Sequence, residues 1–167
     1  MAKLYDTPTK FPYPNDLDDI DRNKIAQAVN PLIADIFALF VKTKNFHWHM
    51  SGAHYRDYHL LLDEHADQIL AMIDVLAERV RKLGKNTIHS INEISRLQKI
   101  QDNNKDFVKP EHMIEELMND NKNLTASMRS AHEICDKYKD VATASLLENF
   151  IDETEGRTWF LFEIYAN

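Results

Sequence analysis

The sequence predicts an all-α protein of one domain, organised as a bundle of four long helices. Glycine is scarce, with three residues in 167, and apolar side chains recur at helical spacing over several long stretches. The hydrophobic fraction of 44% is sufficient for a single buried core in a chain of this length. Neither a second domain nor an internal repeat is expected.

The N-terminal residues 1–16 are predicted to form an extended arm, because they contain Pro8, Pro12 and Pro14. The bundle domain then spans residues 17–167. No apolar core of a secretion signal occurs near the start of the chain, and no run of 18 apolar residues occurs elsewhere. We therefore expect neither a secreted protein nor a membrane partner.

The first long helix is predicted to begin after Asp16 or Asp18, either of which is suited to cap it. Apolar residues recur helically from there to about residue 50, and the Ser51–Gly52 pair ends the helix. Pro31 lies inside this pattern. It predicts either a kink at that point or a restart of the helix at Asn30.

The second long helix covers about 56–83 and ends at Gly84. A long connection follows, in which a capping-box pattern at Ser90 and Glu93 predicts a short helix of about 90–100. This short helix lies between the second and third long helices.

The third long helix starts at Pro110 and covers about 110–138, and the fourth covers about 141–165 with an interruption at Gly156. Four long helices joined by one long crossing connection make a ferritin-like four-helix bundle the most economical architecture.

Charge and cysteine content narrow the functional classes. The net charge of −7 has the wrong sign for simple nucleic-acid binding and suits the attraction of cations. The single cysteine, Cys135, cannot form an intramolecular disulfide, which fits a reducing compartment. We therefore expect a cytoplasmic protein.

Five of the eight histidines fall between residues 47 and 65, and a series of carboxylates follows them. Histidine with carboxylate suits iron, zinc or manganese rather than calcium. At about 100° per residue, one side of the second helix carries four candidate ligands: His59, Asp63, Asp74 and Glu78. On the same scale His65 points away from that side.

These four side chains cannot all bind one ion within one chain. Asp63 and Asp74 are roughly 16 Å apart along the helix axis, whereas metal–oxygen bonds are only about 2 Å long. Taken singly, each residue is also compatible with an ordinary surface or core position.

Two antiparallel copies of the helix, related by a two-fold axis near the middle of the ligand span, solve this problem. The His59–Asp63 pair of one copy then faces the Asp74–Glu78 pair of the other. His47, at the end of the first helix, is placed to complete each of the two equivalent sites. The spacing therefore predicts a homo-oligomer with a metal centre shared across an isologous interface.

The run KTKNFHWHMSG at Lys42–Gly52 resembles the signature of the Dps mini-ferritins, the DNA-binding proteins from starved cells. The similarity continues through Tyr58–Asp63 and Ile73–Arg79, and it covers about residues 20–165. No Glu-x-x-His motif occurs in the sequence, which sets it apart from classical ferritin, bacterioferritin and rubrerythrin sites.

This resemblance implies ferroxidase ligands at His47, His59 and Asp63 of one subunit and at Asp74 and Glu78 of its two-fold mate. It implies a hollow dodecamer in which iron(II) is oxidised by hydrogen peroxide or oxygen and stored as ferric mineral. That chemistry protects the cell and its DNA from oxidative damage. Zinc and manganese are the expected substitute metals.

Acidic pores guide iron into shells of this kind. Asp136, Asp140 and Glu148 are the candidates here, against the alternative of an ordinary solvated surface.

Two other functions remain open from the sequence. The first is a nucleoid protein that compacts DNA, with metal binding secondary. The arm carries Lys3 and Lys10 against Asp6 and Asp16, so weak or absent DNA binding is expected. The second is a structural oligomer whose shared cluster binds zinc without redox chemistry.

Overall fold

The computed structural model describes residues 13–166, and these residues form five helices and no β-strand. The short helix α3 lies in the connection between α2 and α4, so the predicted all-α class and order of elements are confirmed. The helices are α1 (Asp19–His49), α2 (Tyr55–Lys82), α3 (Ile91–Leu97), α4 (Pro110–Lys137) and α5 (Val141–Tyr165).

The bundle consists of two helical hairpins, α1 with α2 and α4 with α5, which dock mainly through α1 and α4. Apolar side chains from all four long helices fill the core, including Ile33, Leu62, Leu124 and Leu147. Each fully buried side chain of this size contributes about 1.5–3 kcal/mol. α2 and α5 meet less closely, which leaves a cavity between them.

α1 is long and apolar enough to cross a membrane by length and composition alone. More than half of its apolar window is buried inside the bundle, where Ile25, Val29 and Ile36 pack against the other helices. A core helix of a bundle meets the same test, so α1 is weak evidence for a membrane partner.

α1 continues through Pro31, so the predicted alternative of a restart at Asn30 is wrong. Proline removes one backbone hydrogen bond, but Val29, Leu32 and Ile33 are buried on either side of it. Their packing stabilises the helix across this position. The other alternative, a kink, stays a prediction. Asp18 is the N-cap residue of α1, although its side chain makes no capping hydrogen bond.

The end of α2 at Gly84 is confirmed. Gly84 has φ +71°, and the amides of Gly84 and Lys85 donate to the carbonyls of Arg81 and Val80 at 2.8 and 3.2 Å. This is the Schellman arrangement, which favours glycine. The Tyr13 ring lies against Gly84, so the last part of the predicted arm contacts α2. Residues 1–12 of that arm lie outside the described part of the chain.

α5 runs through Gly156 without a break, so the predicted interruption is wrong. Glycine within a helix costs only about 0.5–1 kcal/mol relative to alanine. Thr154, Arg157 and Leu161 flank it and are buried, and their packing outweighs that cost.

Replacing Gly156 by alanine is expected to raise the free energy of unfolding by about 0.5–1 kcal/mol. A Cβ at this position meets nothing within 4 Å, so the gain in helix propensity is not opposed by a clash. Denaturant unfolding of both proteins measures the difference. Gly84→Ala is the matched control and is expected to destabilise, because its Cβ falls 2.5 Å from the Tyr13 ring. A decrease for Gly156→Ala contradicts the prediction.

Candidate metal centre

The end of α1 and the start of α2 place two histidine rings against each other. The ring centroids of His47 and His59 are 3.8 Å apart, with an interplanar angle of 19°. Nδ1 of His47 donates to the carbonyl oxygen of His59 at 2.7 Å, and Nδ1 of His59 donates to that of His47 at 2.9 Å. Because a carbonyl oxygen only accepts, each neutral ring carries its proton on Nδ1 and keeps an Nε2 lone pair for a metal.

A tight chain reversal between α1 and α2 makes this pairing possible. Gly52 has φ +98°, a backbone conformation that favours glycine, and its carbonyl accepts from the amide of Tyr55 at 3.1 Å. Phe46 and Met50 are buried on either side of His47 and fix the end of α1. The Tyr55 ring then stacks on His59, with centroids 5.1 Å apart.

Asp63 lies one turn beyond His59 on α2 and completes a group of three candidate ligands. Its Oδ1 is 3.7 Å from Nε2 of His47 and 2.6 Å from Nζ of Lys44. The hydrogen bond from Lys44, together with the positive charge of that side chain, lowers the pKa of the Asp63 carboxyl below its ordinary value. The carboxylate is therefore ionised, and a lysine occupies the oxygen that a metal would use.

Asp74 and Glu78 lie further along α2, and both side chains are exposed. Oε2 of Glu78 is 3.3 Å from Nζ of Lys82. Within residues 13–166 of one chain, no group of three or more histidine, cysteine, aspartate or glutamate side chains converges as a metal site. The structure thus brings His47 against His59 and within 3.7 Å of Asp63, which is short of a complete metal site, and it leaves the other two candidates apart, as helix geometry requires within one chain.

Comparison with known proteins identifies the family to which the chain belongs. The sequence model of the ferritin-like domain matches residues 26–167. A DNA protection during starvation protein from Helicobacter pylori is 25% identical to this chain, and the alignment covers 83% of this chain and 96% of the relative. The chain belongs to the Dps family of ferritin-like proteins.

Other relatives of this Dps-family chain agree. A low temperature-induced protein from Nostoc sp. is 32% identical over 146 residues, or 87% of this chain and 82% of the relative. The structure of DpsC from Streptomyces coelicolor superposes with a TM-score of 0.91 at 26% identity. The superposition covers 99% of this chain and 97% of the DpsC chain. The predicted ferritin-like fold and the resemblance to Dps are therefore confirmed. Relatives from Helicobacter pylori and Bacillus anthracis are named for the protection of DNA during starvation.

Lys44 contacts the candidate ligand Asp63, and sequence reasoning did not identify it. It lies three residues before His47 on α1, so the two side chains share a face of the helix. That spacing was the available signal. Lys44 also lies 6.0 Å from the centroid of the exposed Trp48 ring.

Replacing Lys44 by methionine is expected to tighten divalent-cation binding by up to about fivefold, since an exposed ion pair contributes up to about 1 kcal/mol. The variant frees the Asp63 oxygen and removes a like charge. Calorimetric titration with zinc(II), which undergoes no oxidation, measures the affinity. Lys24→Met changes an exposed lysine elsewhere on α1 and is expected to have no effect. Weaker binding by the Lys44 variant contradicts this role.

The acidic residues proposed for a pore divide into two kinds. Asp140 is buried, so both predicted alternatives, a pore lining and a solvated surface, are wrong for this residue. Its side chain accepts hydrogen bonds from the Thr143 amide at 3.1 Å and from Nη2 of Arg79 at 2.7 Å, which makes it the N-cap of α5. Asp136 and Glu148 are exposed, and both contact the His132 ring.

Proposed function

We propose that this chain is a ferroxidase that oxidises iron(II) at centres shared by two subunits. The observation that carries the proposal is the reciprocal pairing of the two histidines, which leaves Nε2 of each ring free and places that of His47 3.7 Å from Asp63. The full ligand set is His47, His59 and Asp63 of one subunit with Asp74 and Glu78 of its two-fold mate.

The ligand types suit this chemistry. Imidazole nitrogens are borderline ligands that bind iron(II), whereas carboxylates are hard ligands that favour iron(III). A mixed set therefore binds the reduced ion and stabilises the oxidised one. Hydrogen peroxide, or oxygen, is the proposed oxidant. Each peroxide takes two electrons, which two ferrous ions supply, and with two protons it yields water.

The surface around the ligands on α2 suits an isologous contact. Leu60, Leu70 and Val75 are exposed apolar side chains of this helix. An apolar face that carries half of a metal centre is well matched to a second copy of itself. We propose that such dimers build a hollow dodecamer, which stores the ferric product in the cytoplasm.

The proposed protection of DNA is chemical rather than architectural. The net charge of −7 per chain opposes binding to phosphates. A gel-shift titration at low and at physiological salt tests this point, and we expect no retained complex at physiological salt. A complex that survives there favours the DNA-compacting alternative.

Sedimentation after addition of iron(II) and hydrogen peroxide tests the proposed function. We expect ferric absorbance to move with a particle of twelve chains of 19.5 kDa each. A particle of that size without iron contradicts the ferroxidase and favours the structural zinc alternative. A monomer or a lone dimer contradicts the storage shell.

A further inference from the structure

A cavity of about 490 Å³ lies between α2 and α5, where these helices stand apart. It is distinct from the candidate metal centre, because it opens on the side of α2 that His65 faces. Apolar walls come from Leu61 and Phe160, and polar groups come from His65, Gln68 and Arg157. Two of these polar side chains are unusual for a bundle core.

His65 is a buried ring that forms no hydrogen bond with the other residues that the structure describes. Its exposed fraction is 4%, and among residues 13–166 its ring contacts are the edge of Phe160, at a centroid distance of 6.4 Å, and the charge of Arg157. As a neutral imidazole the ring has one donor and one acceptor that no described residue uses, and both are available to a ligand in the cavity.

Arg157 is a buried cation that forms no ion pair within residues 13–166. Its exposed fraction is 2%, and it donates to Asn121 Oδ1 at 3.0 Å, Thr154 Oγ1 at 2.7 Å and, at 3.5 Å, Gln68 Oε1. No aspartate or glutamate of the described residues forms an ion pair with it. Burial lowers the pKa of Arg157 to about 10, so it stays charged near neutral pH. The charge of Glu153 acts on Arg157 without forming an ion pair, so a small anion in the cavity would supply the direct contact that this buried charge lacks.

The rim of the cavity carries negative charge. Glu64 and Glu153 are exposed and line the same cavity. Carboxylates repel an anion that has no proton to share, but they accept a hydrogen bond from an anion that still carries a hydroxyl group. Gly156 also lines the cavity and leaves its space open.

We propose that this cavity binds inorganic phosphate in its protonated forms. Arg157 and His65 donate to phosphate oxygens, and a rim glutamate accepts from a phosphate hydroxyl. Sulfate has the same shape but no proton at neutral pH, so the site discriminates against it. The proposal does not depend on the ferroxidase, because it concerns the metal-free protein.

Calorimetric titration of the metal-free, assembled protein at pH 7 tests this proposal. We expect one phosphate per chain, bound at least about tenfold more tightly than sulfate, because the lost hydrogen bond involves a charged group. Arg157→Met removes the charge with a side chain suited to a core and is expected to weaken binding by at least about tenfold.

A second variant keeps the test decisive if the first one fails to fold. Gly156→Leu places a side chain in the cavity and is expected to abolish phosphate binding, whereas Gly156→Ala retains it. Asp74→Ala is expected to leave phosphate affinity unchanged, which separates this site from the metal centre. Equal affinity for sulfate, unchanged binding by Gly156→Leu, or no binding of phosphate overturns the proposal.

Discussion

Replacing Asp74 or Glu78 by alanine is expected to lower the rate of iron(II) oxidation by about a hundredfold or more. Each variant removes a metal-binding carboxylate, and even the loss of a residue that only supports a ligand costs about 10–100-fold in metal sites. Both side chains are exposed in the single chain, so folding is expected to survive. Stopped-flow absorbance of ferric iron measures the rate, and sedimentation checks that assembly is intact. Asp152→Ala, an exposed carboxylate on α5, is the matched control.

Mixed shells separate a shared centre from one built within a single chain. In a dimer of one His59→Ala chain and one Glu78→Ala chain, one of the two proposed sites has both defects and the other has none. Random mixing should therefore restore about a quarter of the wild-type rate, although each variant alone is inactive. No restoration on mixing, or full activity of either single variant, would contradict the proposed ligand set.

Replacing Asp140 by alanine is expected to lower the free energy of unfolding by about 3–5 kcal/mol, the usual effect of breaking a buried ion pair from one side. The side chains of Asp140 and Arg79 are 2% and 15% exposed, so the change leaves a largely buried guanidinium without its carboxylate. It also removes the N-cap of α5, including a hydrogen bond from the hydroxyl of Thr143.

Calorimetric unfolding of the assembled protein measures this effect, and we expect the melting temperature to fall by about 10 °C or more. Glu148→Ala is the matched control, because that carboxylate is exposed on the same helix. An equal, small change for both variants would show that the buried pair contributes little.

The element order was predictable because helical periodicity and terminal residues act locally. Gly84 at the end of α2 and Ser90 at the start of α3 are both such signals. The Ser90 side chain accepts a hydrogen bond from the amide of Glu93, as the capping-box pattern predicts. Pro31 and Gly156 led to wrong predictions because tertiary packing, which is not a local signal, decides the structure at both positions. Their local cost is real, but it is smaller than the packing of the buried residues beside them.

The candidate site was only partly predictable. Helix geometry groups His59 with Asp63 and separates them from Asp74, whereas the bonds between the two histidines depend on how the chain reverses after α1. The cap at Asp140 was predictable in principle, since it directly precedes the predicted start of the fourth helix. Its assignment to a pore lining placed Asp140 at the surface. Its burial and its ion pair with Arg79 could not be inferred from spacing.

His47 and His59, whose rings hydrogen-bond to each other's backbone, are only 12 residues apart in the chain. This short separation has a consequence for biosynthesis. Contacts of such short sequence separation form early in folding, before a long crossing connection brings two hairpins together. A newly made subunit would then carry a prearranged half-centre, with its imidazoles already in the metal-binding tautomer. Because the remaining carboxylates come from another copy in the proposed arrangement, the nascent monomer would be unable to oxidise iron. We therefore expect the reaction to begin only after assembly, once there is an enclosed space to receive its product.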